Sequence, residues 1–273
     1  MRYSDDSEVA PGTEGGAGEG RYLYGIADAG DGVSLGKIGI EECEVYTIPY
    51  RDICAVVHRC PAYPYESHDQ EVLKAWVVAH QRVVDSAWER WGTILPSSFD
   101  TIIKGEKGED AECNVQHWLV QKYSGIKGKI EDLRDKAEYG VQVFWDPKLV
   151  AREIMETNME IIGLDNAIKA KSRGLAYMYR QKLQNLIKRE MEIKADECFK
   201  DFYARIRKYV DDICVEKTKE GEQGLQMIMN LSCLVSRGSY IKLAKELDGI
   251  NRTEGFSIRF TGPWPPYSFV RGV

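Results

Sequence analysis

No apolar run in this chain approaches the roughly 18 residues that a bilayer-spanning helix needs, so neither a helical membrane protein nor a membrane partner is expected. No excess of basic charge is present either: 37 Lys and Arg stand against 43 Asp and Glu, a net charge of −6. Phosphate neutralisation by Lys and Arg dominates nucleic-acid affinity, so nucleic acid is excluded as an expected partner. The seven cysteines, at positions 43, 54, 60, 113, 198, 214 and 233, contain no Cys-x-x-Cys pair. An odd count without close pairing argues against both a disulfide framework and a zinc ribbon, and leaves reduced, mostly buried thiols. Residues Met1 to Gly20 lack the apolar core and cleavage pattern of a secretory signal, so the expected location is cytoplasmic.

Large apolar groups are also missing from those first twenty residues, where Asp5, Asp6, Glu8, Glu14 and Glu19 oppose Arg2 alone among many glycines. Such a composition cannot offset chain entropy, and residues 1–20 are expected to be a disordered acidic tail. Order is expected from Arg21, with Tyr22-Leu23-Tyr24-Gly25-Ile26-Ala27 as a strand and a hairpin from Glu44–Pro49 and Ile53–His58. Val72, Trp76, Ala79, Val83, Ala87 and Trp91 recur every three or four residues, marking a helix that packs on this sheet. Beyond Gly92, Ile94-Leu95-Pro96 leads to Phe99-Asp100-Thr101-Ile102-Ile103, which reads as an edge strand. A connecting helix over 109–137 follows.

The second half reads as a strand from Tyr139 to Trp145, a helix from Leu149 to Ile168, and a long helix whose apolar stripe runs from Tyr179 to Ile213. That narrow stripe between Lys, Arg and Glu predicts a protruding helical hairpin or short coiled coil. Strands at 213–217 and 226–235, a helix at 239–247 and a strand at 255–261 complete the pattern. The resulting class is α+β, with two ferredoxin-like domains at 21–108 and 138–260, the hairpin at 148–212, and a tail at 261–273.

Catalytic and ligand motifs fail one by one. Gly30 to Lys37 lacks the spacing of a phosphate-binding loop and reads as a turn. Cys54, His58, Cys60 and His68 are close in sequence without a second compact ligand pair, so no metal is expected. His80 sits beside the apolar stripe of its helix, where a satisfied core histidine outweighs a general base. Trp76, Trp88, Trp91 and Trp118 read as core, although several on one helix could form an interface. No cofactor and no catalytic residue are assigned.

The most informative segment is Thr261-Gly262-Pro263-Trp264-Pro265-Pro266-Tyr267-Ser268-Phe269-Val270. Its prolines impose a stiff, extended path unsuited to a central strand, and its aromatics need cover. The strip either packs on its own domain or docks a partner. The first reading is preferred, because an exposed Trp-Tyr-Phe strip invites aggregation, and it makes Trp264 a well-buried anchor.

Together with Arg21-Tyr22-Leu23-Tyr24-Gly25-Ile26, Ala79-His80-Gln81-Arg82-Val83-Val84 and Thr93-Ile94-Leu95-Pro96, the terminal Gly262-Pro263-Trp264-Pro265-Pro266-Tyr267 resembles the gas vesicle protein F/L family. One departure is visible: where that family has an arginine followed by Phe-Gly-Thr, this chain has Ser98-Phe99-Asp100-Thr101. The resemblance implies a non-catalytic accessory protein of gas vesicle assembly. It would bind the hydrophobic gas vesicle shell protein A, and possibly other accessory proteins, without a cofactor. Trp264, Pro265, Pro266, Tyr267 and Phe99 are the candidate interaction residues. The alternatives are a scaffold joining several accessory proteins, or an α+β enzyme with a scattered site.

Overall fold

A computed structural model describes residues 18–105, 110–169, 172–221 and 224–270, and its contacts divide the chain into two units between Asp132 and Leu133. Residues 1–17 of the expected acidic tail lie outside the described set, while Glu19 and Gly20 already belong to the first strand.

The first unit contains β1 (Glu19–Ala27), β2 (Ser34–Gly36), β3 (Val45–Tyr50), β4 (Ile53–Pro61), α1 (Gln70–Trp91), β5 (Ile94–Pro96), β6 (Ile102–Lys104) and α2 (Ala111–Leu133). Its antiparallel sheet runs β2-β3-β4-β1, with β5 and β6 sharing the far side of β1 at its two ends. The expected single edge strand from Phe99 is therefore corrected: Ser97 to Thr101 form a loop between two short strands. Asp100 causes the interruption, because it adopts φ 66°, a left-handed conformation that cannot continue a strand.

A bulge in β1 between Leu23 and Gly25 lets Tyr22, Tyr24 and Ala27 share one sheet face with Cys54 and Val56. That face receives α1 through His80, Val83, Val84 and Ala87, as the helical spacing predicts. Asp69 caps the start of α1 by accepting the Glu71 N–H at 2.9 Å, and Gly92 ends it at φ 75°. On the other face, α2 is held by Arg21 to Glu112 at 3.2 Å and by Lys127 to both Asp28 and Asp52 at 2.7 Å.

The second unit contains β7 (Lys136–Trp145), α3 (Pro147–Thr157), α4 (Met159–Lys169), α5 (Arg173–Arg207), β8 (Asp212–Val215), β9 (Gln226–Ser236), α6 (Tyr240–Asn251) and β10 (Phe256–Trp264). The antiparallel sheet order is β10-β7-β9-β8. Tyr139, Val141, Val143, Met229, Leu231 and Cys233 point to one face, which Phe202 and Ile206 of α5 and Leu243 and Leu247 of α6 cover. Further along α5, Leu183, Leu186, Ile187 and Met191 pack with Val150, Ile154, Ile161 and Leu164 of α3 and α4, building a helical arm.

The single helix expected from Leu149 to Ile168 is two helices. Asn158 ends one by donating its N–H to the Ile154 carbonyl at 2.9 Å, and starts the next by accepting the N–H groups of Glu160 and Ile161 at 3.0 and 3.2 Å. No helix among the described residues is long and apolar enough to cross a membrane.

Candidate functional site: the terminal strip and the buried tyrosine-histidine cluster

The last strand runs three residues further into the proline-rich segment than its alternation suggests. β10 pairs with β7 from Phe256–Trp145 to Thr261–Gly140, bulges, and pairs once more at Trp264–Glu138. Because β10 is an edge strand, Pro263 costs the sheet no ladder bond on its solvent side. Gly262 makes the bulge possible. Its φ is 114°, and an added Cβ would lie 2.8 Å from the Glu138 carbonyl oxygen and 2.9 Å from the Tyr139 ring.

After β10 the chain turns through a short 3-10 helix, Tyr267–Phe269, and is tied down at Ser268. The Ser268 N–H and hydroxyl both donate to the buried Glu138 carboxylate at 2.7 Å, and the Cys214 thiol donates to the Ser268 carbonyl at 3.5 Å. Two donors on one buried carboxylate form a charge-assisted clamp, which compensates for removing that charge from water.

The clamp sets which side chains face inward. Pro265, Pro266 and Phe269 are buried, with Phe269 at 5 % exposure, whereas Trp264 and Tyr267 remain 41 % and 37 % exposed. The strip thus packs on its own protein, but the anchor is Phe269 with the two prolines. Trp264 is not the anchor that the sequence suggested. The turn from the end of β10 into the 3-10 helix carries the consecutive Pro265 and Pro266 inward and Phe269 after them, which leaves Trp264 and Tyr267 on the outer side.

Phe99, the fifth candidate, lies in the first unit, half-buried against Tyr22 and His80 with ring centroids 6.2 and 6.0 Å away. It belongs to a buried cluster that sequence reading divided among separate motifs. The Tyr22 oxygen accepts the Asp100 N–H at 2.9 Å, leaving its own proton to donate to His80 Nδ1 at 2.9 Å. In the same way Tyr24 accepts the Ile40 N–H at 3.0 Å and donates to His58 Nδ1 at 2.8 Å. His58 then carries its proton on Nε2, which reaches the Tyr65 hydroxyl at 2.9 Å.

Burial dominates the electrostatics here. Both imidazoles are pushed down to about 4 by desolvation, with the Ser97 backbone partly opposing the fall at His80. The same burial raises the three tyrosine hydroxyls and pushes Cys60 up to about 11. Neutral histidines with raised thiols and phenols offer no activated nucleophile, and the cluster acts as a polar lock between α1 and the sheet. His58 and Cys60 do share a strand face, as their spacing requires, and that face is core.

The departure at Asp100 also has a structural meaning. A left-handed residue favours glycine, yet aspartate tolerates the position and here its Oδ1 accepts the Tyr65 N–H at 3.0 Å.

Comparison with known proteins finds related chains. Residues 20–271 match the family model described as gas vesicle synthesis protein GvpL/GvpF. Gas vesicle protein L1 of Halobacterium salinarum is 30 % identical over 266 residues, covering 93 % of this chain and 91 % of that protein. Gas vesicle protein L of Haloferax mediterranei is 26 % identical over 246 residues, covering 87 % and 74 %. The crystal structure of the gas vesicle protein GvpF from Anabaena sp. superposes with a TM-score of 0.75 at 19 % identity, over 93 % of this chain and 99 % of that one.

Proposed function

This chain belongs to the gas vesicle synthesis protein GvpL/GvpF family, and from that premise we propose that it is a non-catalytic accessory protein that binds gas vesicle shell protein A and assists vesicle assembly in the cytoplasm. The observation that carries the contact is the terminal strip: Ser268, Phe269 and the paired prolines hold it in place, while Trp264 and Tyr267 are partly exposed to solvent. Large aromatics on a rigid backbone lose little entropy on binding and are common anchors at interfaces. A hydrophobic shell subunit would meet such a surface without needing a cofactor or a reactive group.

The shared strand order supports a ferredoxin-like reading of both units. With β2 set aside, β1 lies between β4 and the β5/β6 pair with β3 beyond β4, just as β7 lies between β9 and β10 with β8 beyond β9. The first unit departs by replacing its first crossover helix with β2 and a 3-10 turn, Ile40–Glu42. In the second, the first crossover is expanded into the helical arm. We assign the division of labour accordingly, with the second unit presenting the strip.

Co-expression of the full chain with shell protein A, followed by capture of the chain, tests the proposal. Shell protein retained by wild type and lost with a Trp264→Ala/Tyr267→Ala double variant that stays folded under the capture conditions supports it. Equal retention by both proteins would remove the strip from the account.

A further inference from the structure

The free end of the helical arm carries charge of one sign. From Asn166 to Arg189 the sequence holds seven Lys and Arg and no Asp or Glu, so a segment of +7 sits in a chain whose other residues carry −13. Helix stability does not call for this arrangement. The N-terminal end of a helix has a partial positive charge that favours carboxylates, yet α5 has no acid in its first turn and its N-cap, Ser172, makes no side-chain capping bond.

Part of this charge is compensated along the arm. Lys169 pairs with Asp165 at 3.0 Å, Arg189 with Glu190 at 3.1 Å, and Lys188 lies 3.9 Å from Glu192. Arg180 and Lys182 are exposed and make no ion pair among the described residues. Beside them Leu175, Tyr177 and Met178 are 50 %, 64 % and 67 % exposed. Leu175, Met178 and Lys182 follow one another at three and four residues, so they form a single ridge, and Tyr177 and Arg180 form a second.

This ridge is separate from the face that builds the arm, since Leu183, Leu186 and Ile187 already pack against α3 and α4. It also lies far from the sheet: Met178 is about 36 Å along the helix axis from Phe202, which packs on that sheet, at the usual rise per residue.

We propose that this end of the arm, formed by Leu175, Tyr177, Met178, Arg180 and Lys182, docks an acidic amphipathic helix of a partner protein. Such a helix satisfies both halves of the surface, its apolar stripe lying between the two ridges against Tyr177 and Met178 while its carboxylates meet Lys182 on one flank and Arg180 on the other. A polyanionic nucleic acid would use the cations and leave Leu175 and Met178 unmatched, and it would be repelled by the rest of the chain. An anionic lipid surface needs an apolar face along the whole helix, whereas beyond this end Ile193 is the one large aliphatic of α5 that is exposed among the described residues. A second copy would set one basic end against another. This surface is independent of the terminal strip.

Titration of the full chain decides the matter. The probe is a synthetic amphipathic peptide with Leu and Glu at helical spacing. Its counterpart with Gln in place of Glu, a mixed-sequence DNA duplex, and vesicles of phosphatidylglycerol and phosphatidylcholine are titrated in parallel. The Leu-Glu peptide should bind most tightly and weaken as salt rises. Arg180→Glu/Lys182→Glu and Leu175→Ser/Met178→Ser should each weaken it by about tenfold or more, equivalent to one or two lost contacts. Both pairs replace exposed residues, so their thermal melts should match wild type and either pair suffices. Unchanged peptide affinity in both pairs, tighter binding of duplex or vesicles, or self-association abolished by the charge pair would overturn the proposal. Capture of shell protein A by the same variants should be unaffected, which separates failure here from failure of the strip.

Discussion

Replacing Phe269 with alanine tests whether the terminal strip is held by the residues that the structure buries. Phe269 is 5 % exposed and lies beside the clamp from Ser268 to Glu138, so truncation leaves a cavity that a proline-stiffened chain cannot collapse around. The expected cost is about 3–5 kcal/mol, the usual range for a buried aromatic. With a urea dependence of about 2 kcal/mol per molar for a unit of this size, the midpoint of the second unit should fall by about 2 M. Trp264→Ala removes a ring that is 41 % exposed and opens no enclosed cavity, so it should cost only about 1 kcal/mol, or about 0.5 M. Two units need not unfold together, so hydrogen exchange of the β7 and β9 amides at increasing urea reads the relevant transition. A large shift for Trp264→Ala with little change for Phe269→Ala would refute the assignment of the anchor and restore the buried-tryptophan reading.

Three further expectations concern the bulge, the clamp and the buried histidines. Gly262→Ala should destabilise the second unit by about 1–3 kcal/mol, because its φ of 114° is strained for alanine and the new Cβ meets the Glu138 carbonyl; a neutral melt would contradict this. Ser268→Ala should cost about 1.5–3 kcal/mol by removing the hydroxyl donor from a buried carboxylate, and a urea midpoint equal to wild type would dismiss the clamp. His58 and His80 titrate near 4 when folded and near 6.5 when unfolded, so the unfolded chain binds more protons between those values. The stability they contribute is therefore complete above pH 6.5 and is lost as pH falls towards 4, by about 2 kcal/mol per histidine between pH 7 and pH 5. Imidazole proton shifts that titrate near 6.5 in the folded protein would rule this out.

Periodicity made α1 legible, because Val83 and Ala87 repeat at helical spacing and Asp69 and Gly92 are good caps. It could not show the bulge in β1, since the pattern Tyr22-Leu23-Tyr24 continues smoothly into Gly25 and only the pairing with β4 shows the change of face. The break at Asn158 was available in principle, as a side chain able to cap a helix sits in the middle of the pattern. Apolar residues on both sides outweighed it.

At the candidate site, composition singled out the terminal strip, but its inward and outward sides depend on a single clamp. Glu138 and Ser268 are 130 residues apart, and nothing local couples them. The same limit explains Phe99. Its sequence neighbours read as an edge strand, whereas it sits in a loop whose environment is made by Tyr22 on β1 and His80 on α1. The separate sequence segments around Tyr22, His80 and Phe99 share one buried cluster, which packing alone brings together.

The central claim, that the exposed aromatics of the strip touch shell protein A, is tested most directly by placing a photo-crosslinking phenylalanine analogue at position 264 or 267 in the full chain co-expressed with that protein. The account predicts a crosslinked shell-protein adduct from both positions and none from the buried position 269. Adducts absent from 264 and 267, with the same analogue elsewhere on the chain capturing the shell protein, would contradict it.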